Sequence, residues 1–195
     1  MAQGTDPNQV RLTGENSFIR LAQDASAPQT TRTSHWRVLW SPAGQGHVLF
    51  AQSEITNNAV RVYADNIALA RWLQDEIERM LFPAFADQNL HVIEADFSRS
   101  GDGVSFWTET IESDDDIVRL TWYDFGEPFV ITVGAGTGAF PHHGVYSCFI
   151  PAQRAQFTIN DRVAAGRPFP QDRNGRKGST ACLAWSETWV RHYDV

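Results

Sequence analysis

The run GAGTGAFPHHG at positions 134–144 carries two adjacent histidines, His142 and His143. Imidazole titrates close to neutral pH and is the usual side chain for moving protons. Neighbouring residues of an extended chain point to opposite faces, so one of the pair can look inward. Phe140 lies beside them. Upstream, WYDFGEPF (122–129) sets Asp124 and Glu127 around Gly126, among Trp122, Tyr123 and Phe129. A carboxyl group held among aromatic rings loses solvation, its pKa rises, and it becomes a usable general acid. These residue types point to acid–base chemistry. His142 or His143 would be the base and Asp124 or Glu127 the acid or orienting group. Trp122, Tyr123, Phe140 and Tyr146 would line the ligand.

Further carboxylates sit on aromatic strand faces. Glu109 alternates with Trp107 in VSFWTETI, and Glu187 alternates with Trp185 and Trp189 in AWSETWV. One inward carboxylate in a Trp-lined barrel suits a small-molecule site. The segment 161–178 adds a basic patch, with Arg162, Arg167, Arg173, Arg176 and Lys177 against Asp161 and Asp172. A patch of this kind can hold an anionic group or a partner's acidic edge. The plainer reading is a solvated loop.

Other chemistries lack their motifs. The Gly-rich run has neither G-x-G-x-x-G spacing nor a following helix, so no row of N–H groups awaits a pyrophosphate. The six histidines show no H-x-H or H-x-x-x-H pair, and we expect no metal, although histidines from separate strands could still assemble a site. No G-x-S-x-G elbow presents a serine. Cys148 and Cys182 lie in apolar runs and read as buried free thiols. The one lysine, Lys177, sits in a polar loop unsuited to a low-pKa amine. We expect no cofactor.

The elements that position these residues are mostly strands. Turn signals recur every 8–12 residues, the spacing of a sandwich or barrel. One segment differs: Leu69, Trp72, Leu73, Ile77, Met80 and Leu81 recur at helical steps, after Asp65 or Asn66 as N-cap and before Pro83. This predicts an amphipathic helix over 66–81 with Arg71, Gln74, Asp75, Glu78 and Arg79 towards solvent. Strands are expected at 17–23, 35–41, 46–52, 59–64, 90–98, 104–111, 117–123, 128–133, 144–150, 155–159 and 179–190. The fold class is a β-rich α+β domain, a curved antiparallel sheet or small β-barrel with one helix packed on it. Residues 1–16 read as a loose N-terminal arm and 17–195 as a single domain. If 122–133 and 144–150 pair as antiparallel neighbours, the 134–143 loop with its histidines lies at the opposite end from the Asp124–Glu127 turn. Sharing a proton then requires a bent strand or a folded-back loop.

A chain of 195 residues with 42% apolar content and a formal charge of -7 suits a globular protein without a duplex-binding surface. No apolar run reaches the length of a membrane helix, and the first residues lack a signal-peptide core. We therefore expect a cytoplasmic protein that binds a small molecule and neither nucleic acid nor membrane; a homo-oligomer or a hetero-subunit stays open. The leading expectation is a cofactor-free lyase, hydratase or isomerase acting on a partly apolar ligand. The alternative is a non-catalytic carrier or an accessory subunit.

Overall fold

The computed structural model describes residues 9–134, 142–173 and 175–191. Strands β1 (Val10–Ala22), β2 (Gln29–Trp40), β3 (Gly46–Ser53) and β4 (Val60–Ala64) form an antiparallel meander. A helical run follows: α1 (Ile67–Leu73), a π-helical turn (Gln74–Glu78) and a closing turn (Arg79–Leu81). The second half contributes β5 (Val92–Glu94), β6 (Asp96–Gly101), β7 (Phe106–Glu112), β8 (Ile117–Phe125) and β9 (Phe129–Val133). It continues with β10 (His143–Ile159), β11 (Arg162–Val163), β12 (Pro170–Arg173), β13 (Arg176–Ser179) and β14 (Ala181–Arg191).

The main sheet runs β5-β4-β3-β2-β1-β14-β10-β8-β7-β6. Its two ends are consecutive in the chain. β5 pairs parallel with β4, β6 pairs antiparallel with β7, and Ala95 between them donates its N–H to Ala64 O at 3.1 Å. The sheet thus curls back on itself into a nearly closed barrel, the β-rich α+β architecture expected from the alternation. Alternating residues fill two cores. Ile19, Leu49, Tyr63, Leu120, Trp122 and Phe157 pack the barrel interior. Trp36, Phe50, Val62, Leu69, Leu73 and Ile77 pack the helix onto the outer face of β1–β4.

Several local features depart from the expected boundaries. β1 starts at Val10, so 10–16, expected in the loose arm, are strand, with Leu12 fully buried. β2 starts at Gln29, six residues before the strand expected at 35–41. β10 runs unbroken through Pro151 and joins the two strands expected at 144–150 and 155–159. The proline fits because β8 and β9 break opposite it, where Gly126 N donates to Pro151 O at 2.7 Å. The segment 160–179 holds the hairpin β12–β13 as well as β11. The helix spans its expected range, and Asn66 caps it by accepting from Leu69 N at 3.1 Å. Its polar face does not follow the expectation: Gln74 and Glu78 are fully buried. The π-helical turn adds a residue to the winding, and it keeps Glu76, Ile77 and Glu78 consecutively in the interior.

Candidate functional site

A cavity of about 350 Å³ lies outside the barrel, between the end of the helix and the outer face of the sheet. Its floor is set by strand register. Arg20 of β1 faces Arg32 of β2, and Asn16 faces Trp36. Phe18 and Ser34 occupy the row between. β14 and β10 extend the floor with the cross-strand pair Glu187 and Ser147 and with Val145, Phe149 and Trp189. Glu78, Leu81, Phe82 and Phe85 form the wall on the helix side, Ile131 and Val133 of β9 the opposite one. The β12–β13 hairpin closes one end with Gln171, Asp172 and Arg173.

Two carboxyl groups are buried here, and among the described residues no cation is bonded to either. Glu78 Oε1 accepts from Ser34 Oγ at 2.6 Å and from Trp36 Nε1 at 2.7 Å. Ser34 Oγ in turn accepts from Asn16 Nδ2 at 3.0 Å. Glu78 Oε2 has no hydrogen-bond partner among the described residues. Burial pushes Glu78 up to about 7, against the pull of these two donors and of the Arg20 charge. Glu187 Oε1 accepts from Trp189 Nε1 at 2.6 Å and Oε2 from Ser147 Oγ at 2.9 Å. Burial pushes it too up to about 7; its two donors oppose the shift and the nearby Glu78 charge adds to it. Burial thus moves both carboxyls upward, towards the neutral range.

Arg20, Arg32 and Arg173 line the same cavity. Arg20 is held down at about 10, first by burial and then by the charges of Arg32 and Arg173. The guanidinium groups rest on rings. Arg20 lies 5.1 Å from the Phe18 centroid, Arg173 lies 5.1 Å from that of Phe149, and Arg32 lies 3.9 Å from that of Phe82.

The chain matches no family model, and no curated protein or solved structure is significantly similar to it.

The residues singled out in the sequence are dispersed. Phe140 lies outside the described residues. His142 is exposed, and His143 is buried at the start of β10, hydrogen-bonded through Nε2 to Glu76 Oε1 at 3.0 Å. Asp124 is exposed and ion-paired with Arg154, which lowers its pKa, and Glu127 is exposed. β9 and β10 do pair antiparallel, Val133 with Val145 and Phe129 with Phe149, while Phe125 faces Ala152. From His143 to Ala152 the strand covers roughly 30 Å at about 3.3 Å per residue. The structure does not bring the histidines to Asp124 or Glu127; the carboxylate that meets His143 is Glu76. Trp122 is buried in the barrel interior, its Nε1 donating to Phe18 O at 3.1 Å. Tyr123 is half-buried under Arg154, and Tyr146 is exposed.

Glu109 is buried and accepts from Trp107 Nε1 at 2.8 Å, with burial raising its pKa. It belongs to a polar cluster near Arg99, where Glu15 bonds Arg37 at 2.7 Å and Arg99 at 3.2 Å. Those charges satisfy one another. Two residues from the sequence reading do meet in the cavity: Glu187 from its Trp-flanked strand and Arg173 from the basic patch. Glu78, Arg20 and Arg32 carried no sequence signal; the helical period assigned Glu78 to solvent. Among the described residues no group of three His, Cys, Asp or Glu side chains is arranged to hold a metal ion. No described helix is long and apolar enough to cross a membrane.

Proposed function

We propose that this protein carries out acid–base chemistry on a small, partly apolar molecule in the cavity between the helix and β1, β2, β10 and β14. One observation carries the reading: Glu78 and Glu187 line one cavity, each bonded, among the described residues, only to neutral donors and each pushed up to about 7. Their partners suggest a division of labour. Both oxygens of Glu187 accept hydrogen bonds, which supports its carboxylate form and the role of base. Glu78 keeps Oε2 without a partner, so protonation there yields an acid with a free O–H. Apolar side chains from the helix and β9 would exclude water from the reacting atoms. Hydration, elimination and isomerisation all use such an acid–base pair.

The experiment is proton exchange in deuterated water. A panel of enolisable ketones, keto acids and unsaturated carboxylic acids is incubated with the protein, and deuterium incorporation is read by NMR. The expected result is incorporation into at least one compound, reduced at least a hundredfold in both Glu78→Gln and Glu187→Gln. Absence of incorporation across the panel, or parental rates in both folded variants, overturns the acid–base reading. A non-catalytic ligand carrier then takes its place, since the cavity itself stands. The cytoplasm is proposed as the compartment, supported by the free thiols of Cys148 and Cys182.

A further inference from the structure

We propose that the occupant of this cavity is an organic oxyanion with a hydrocarbon body, its carboxylate or phosphate head bound by Arg20, Arg32 and Arg173. The inference deepens the acid–base reading and rests on it for the choice of cavity. Three guanidinium groups converge on one cavity, and among the described residues none of them forms an ion pair with a carboxylate. Eight arginines elsewhere behave otherwise: Arg11, Arg37, Arg61, Arg79, Arg99, Arg119, Arg154 and Arg191 each pair with a carboxylate.

Clustering like charges costs free energy unless a counter-charge arrives. Arg20 stands in register opposite Arg32, so their proximity is built into β1 and β2. Nε of Arg20 and Nε of Arg173 are buried without partners among the described residues. The neutral groups that do hold these arginines leave other N–H groups over. Gln29 Oε1 accepts from Arg32 Nε at 2.8 Å, and Gln171 Oε1 accepts from Arg173 Nη2 at 3.0 Å. Phe18 is the ring shared by Arg20 and Arg173, at 5.1 and 5.3 Å. A guanidinium lying on a ring keeps its edge donors for an oxyanion. Asp172 also belongs to the lining, but its Oδ1 accepts from Gly175 N within the hairpin.

The apolar lining fixes the rest of the molecule. Leu81, Phe82, Phe85, Ile131 and Val133 offer no donors or acceptors from their side chains. Along β2 the order is Arg32, Ser34, Trp36, and Glu78 bonds the last two. The head and the reacting carbon are thus separated along the strand by two to four residues, roughly 7–13 Å. A cavity of about 350 Å³ stands at the small end of the range for ligand pockets, which suits a metabolite and not a polymer.

The test is calorimetric titration of the full chain at pH 6 with octanoate, octyl phosphate, octan-1-ol and acetate. Octanoate or octyl phosphate is expected to bind at least tenfold more tightly than octan-1-ol, and acetate not measurably. The tighter of the two anions identifies the head group. Arg173→Gln, on the surface hairpin, and Arg20→Gln, in the sheet, are each expected to weaken the preferred anion at least tenfold while leaving octan-1-ol unchanged. Arg173→Gln keeps the test usable if Arg20→Gln does not fold. Equal affinity for the alcohol and the anions, anion binding that survives both substitutions, or no binding by any of the four compounds overturns the inference. Arginine-dependent anion binding without proton exchange on any substrate leaves this inference standing and removes the acid–base reading. Proton exchange without anion preference does the reverse.

Discussion

Ser147 and Glu187 are cross-strand partners on β10 and β14, and Ser147 Oγ donates to Glu187 Oε2 at 2.9 Å. The bond favours the ionised form of Glu187, so Ser147→Ala should raise its pKa above about 7. The loss should be larger at pH 8 than at pH 5: about 1–3 kcal/mol where the charged group would lack its donor, and less where the group is neutral. Denaturant unfolding at the two pH values measures the difference. Equal losses at both would show that the bond does not follow the ionisation of Glu187.

Glu78 and Glu187 together predict a pH slope. Their folded pKa values, near 7, stand above the ordinary 4.5. Between pH 4.5 and 7 the folded chain therefore binds more protons than the unfolded chain. The contribution of both groups is fully present below pH 4.5 and is lost as pH rises through 7, by up to about 1.4 kcal/mol per pH unit for each group. Glutamine mimics the protonated form. Glu78→Gln and Glu187→Gln should gain stability relative to the parent as pH rises over that window. Parallel stability curves for parent and variants would contradict the raised pKa values.

His35 should behave in the opposite sense. It is buried on the interior side of β2 with Nε2 unpartnered, and burial, with help from His47 and Arg99, holds it down at about 3. Its contribution to stability is present above the unfolded value of 6.5 and is lost as pH falls towards 3. Its imidazole resonances should stay constant between pH 5 and 8 in NMR titration. A midpoint near 6.5 would show the ring to be solvated.

The elements were largely legible and the site was not, for physical reasons. Alternation exposes strands because every second residue of a barrel wall is buried, and Asn66 announces the helix because a cap needs a short acceptor. Periodicity, however, sorts residues by polarity and so sends every carboxylate outward. Glu78 and Gln74 break that rule through a π-helical turn, which leaves no mark in the pattern of apolar residues. Arg20 and Arg32 meet only through the register of β1 and β2, a long-range property. Glu187 was visible because its own strand flanks it with Trp185 and Trp189. Arg173 was visible only as part of a patch, since the hairpin that turns it inward pairs Asp172 with Lys177 across a polar stretch.

Glu76 ties the helix to three strands. It accepts from Arg11 Nε at 3.1 Å, bonds His143 Nε2 at 3.0 Å and lies 3.8 Å from Arg191 Nη1. The bond to His143 comes first among the influences that hold Glu76 down at about 2, below its ordinary 4.5. Its stabilising contribution is present above pH 4.5 and is lost as pH falls through 2. Glu76→Gln should cost about 1.5–3 kcal/mol at pH 7, the range for hydrogen bonds to charged groups. The same variant should lose less stability than the parent between pH 4.5 and 2. Unchanged stability at pH 7 would show that the cluster does not hold the helix in place.

The most direct test of the acid–base cavity is the titration of glutamate side-chain carboxyl carbons in carbon-13-labelled protein. Two resonances should move with midpoints near pH 7, one absent from Glu78→Gln and the other from Glu187→Gln. If the two groups interact strongly, removing either should also lower the midpoint of the survivor, because each carboxylate charge opposes the other. Midpoints below pH 5 for every glutamate in the parent chain would mean that both groups are ionised at neutral pH. The cavity would then hold no exchangeable proton, and the proposed chemistry would have no acid.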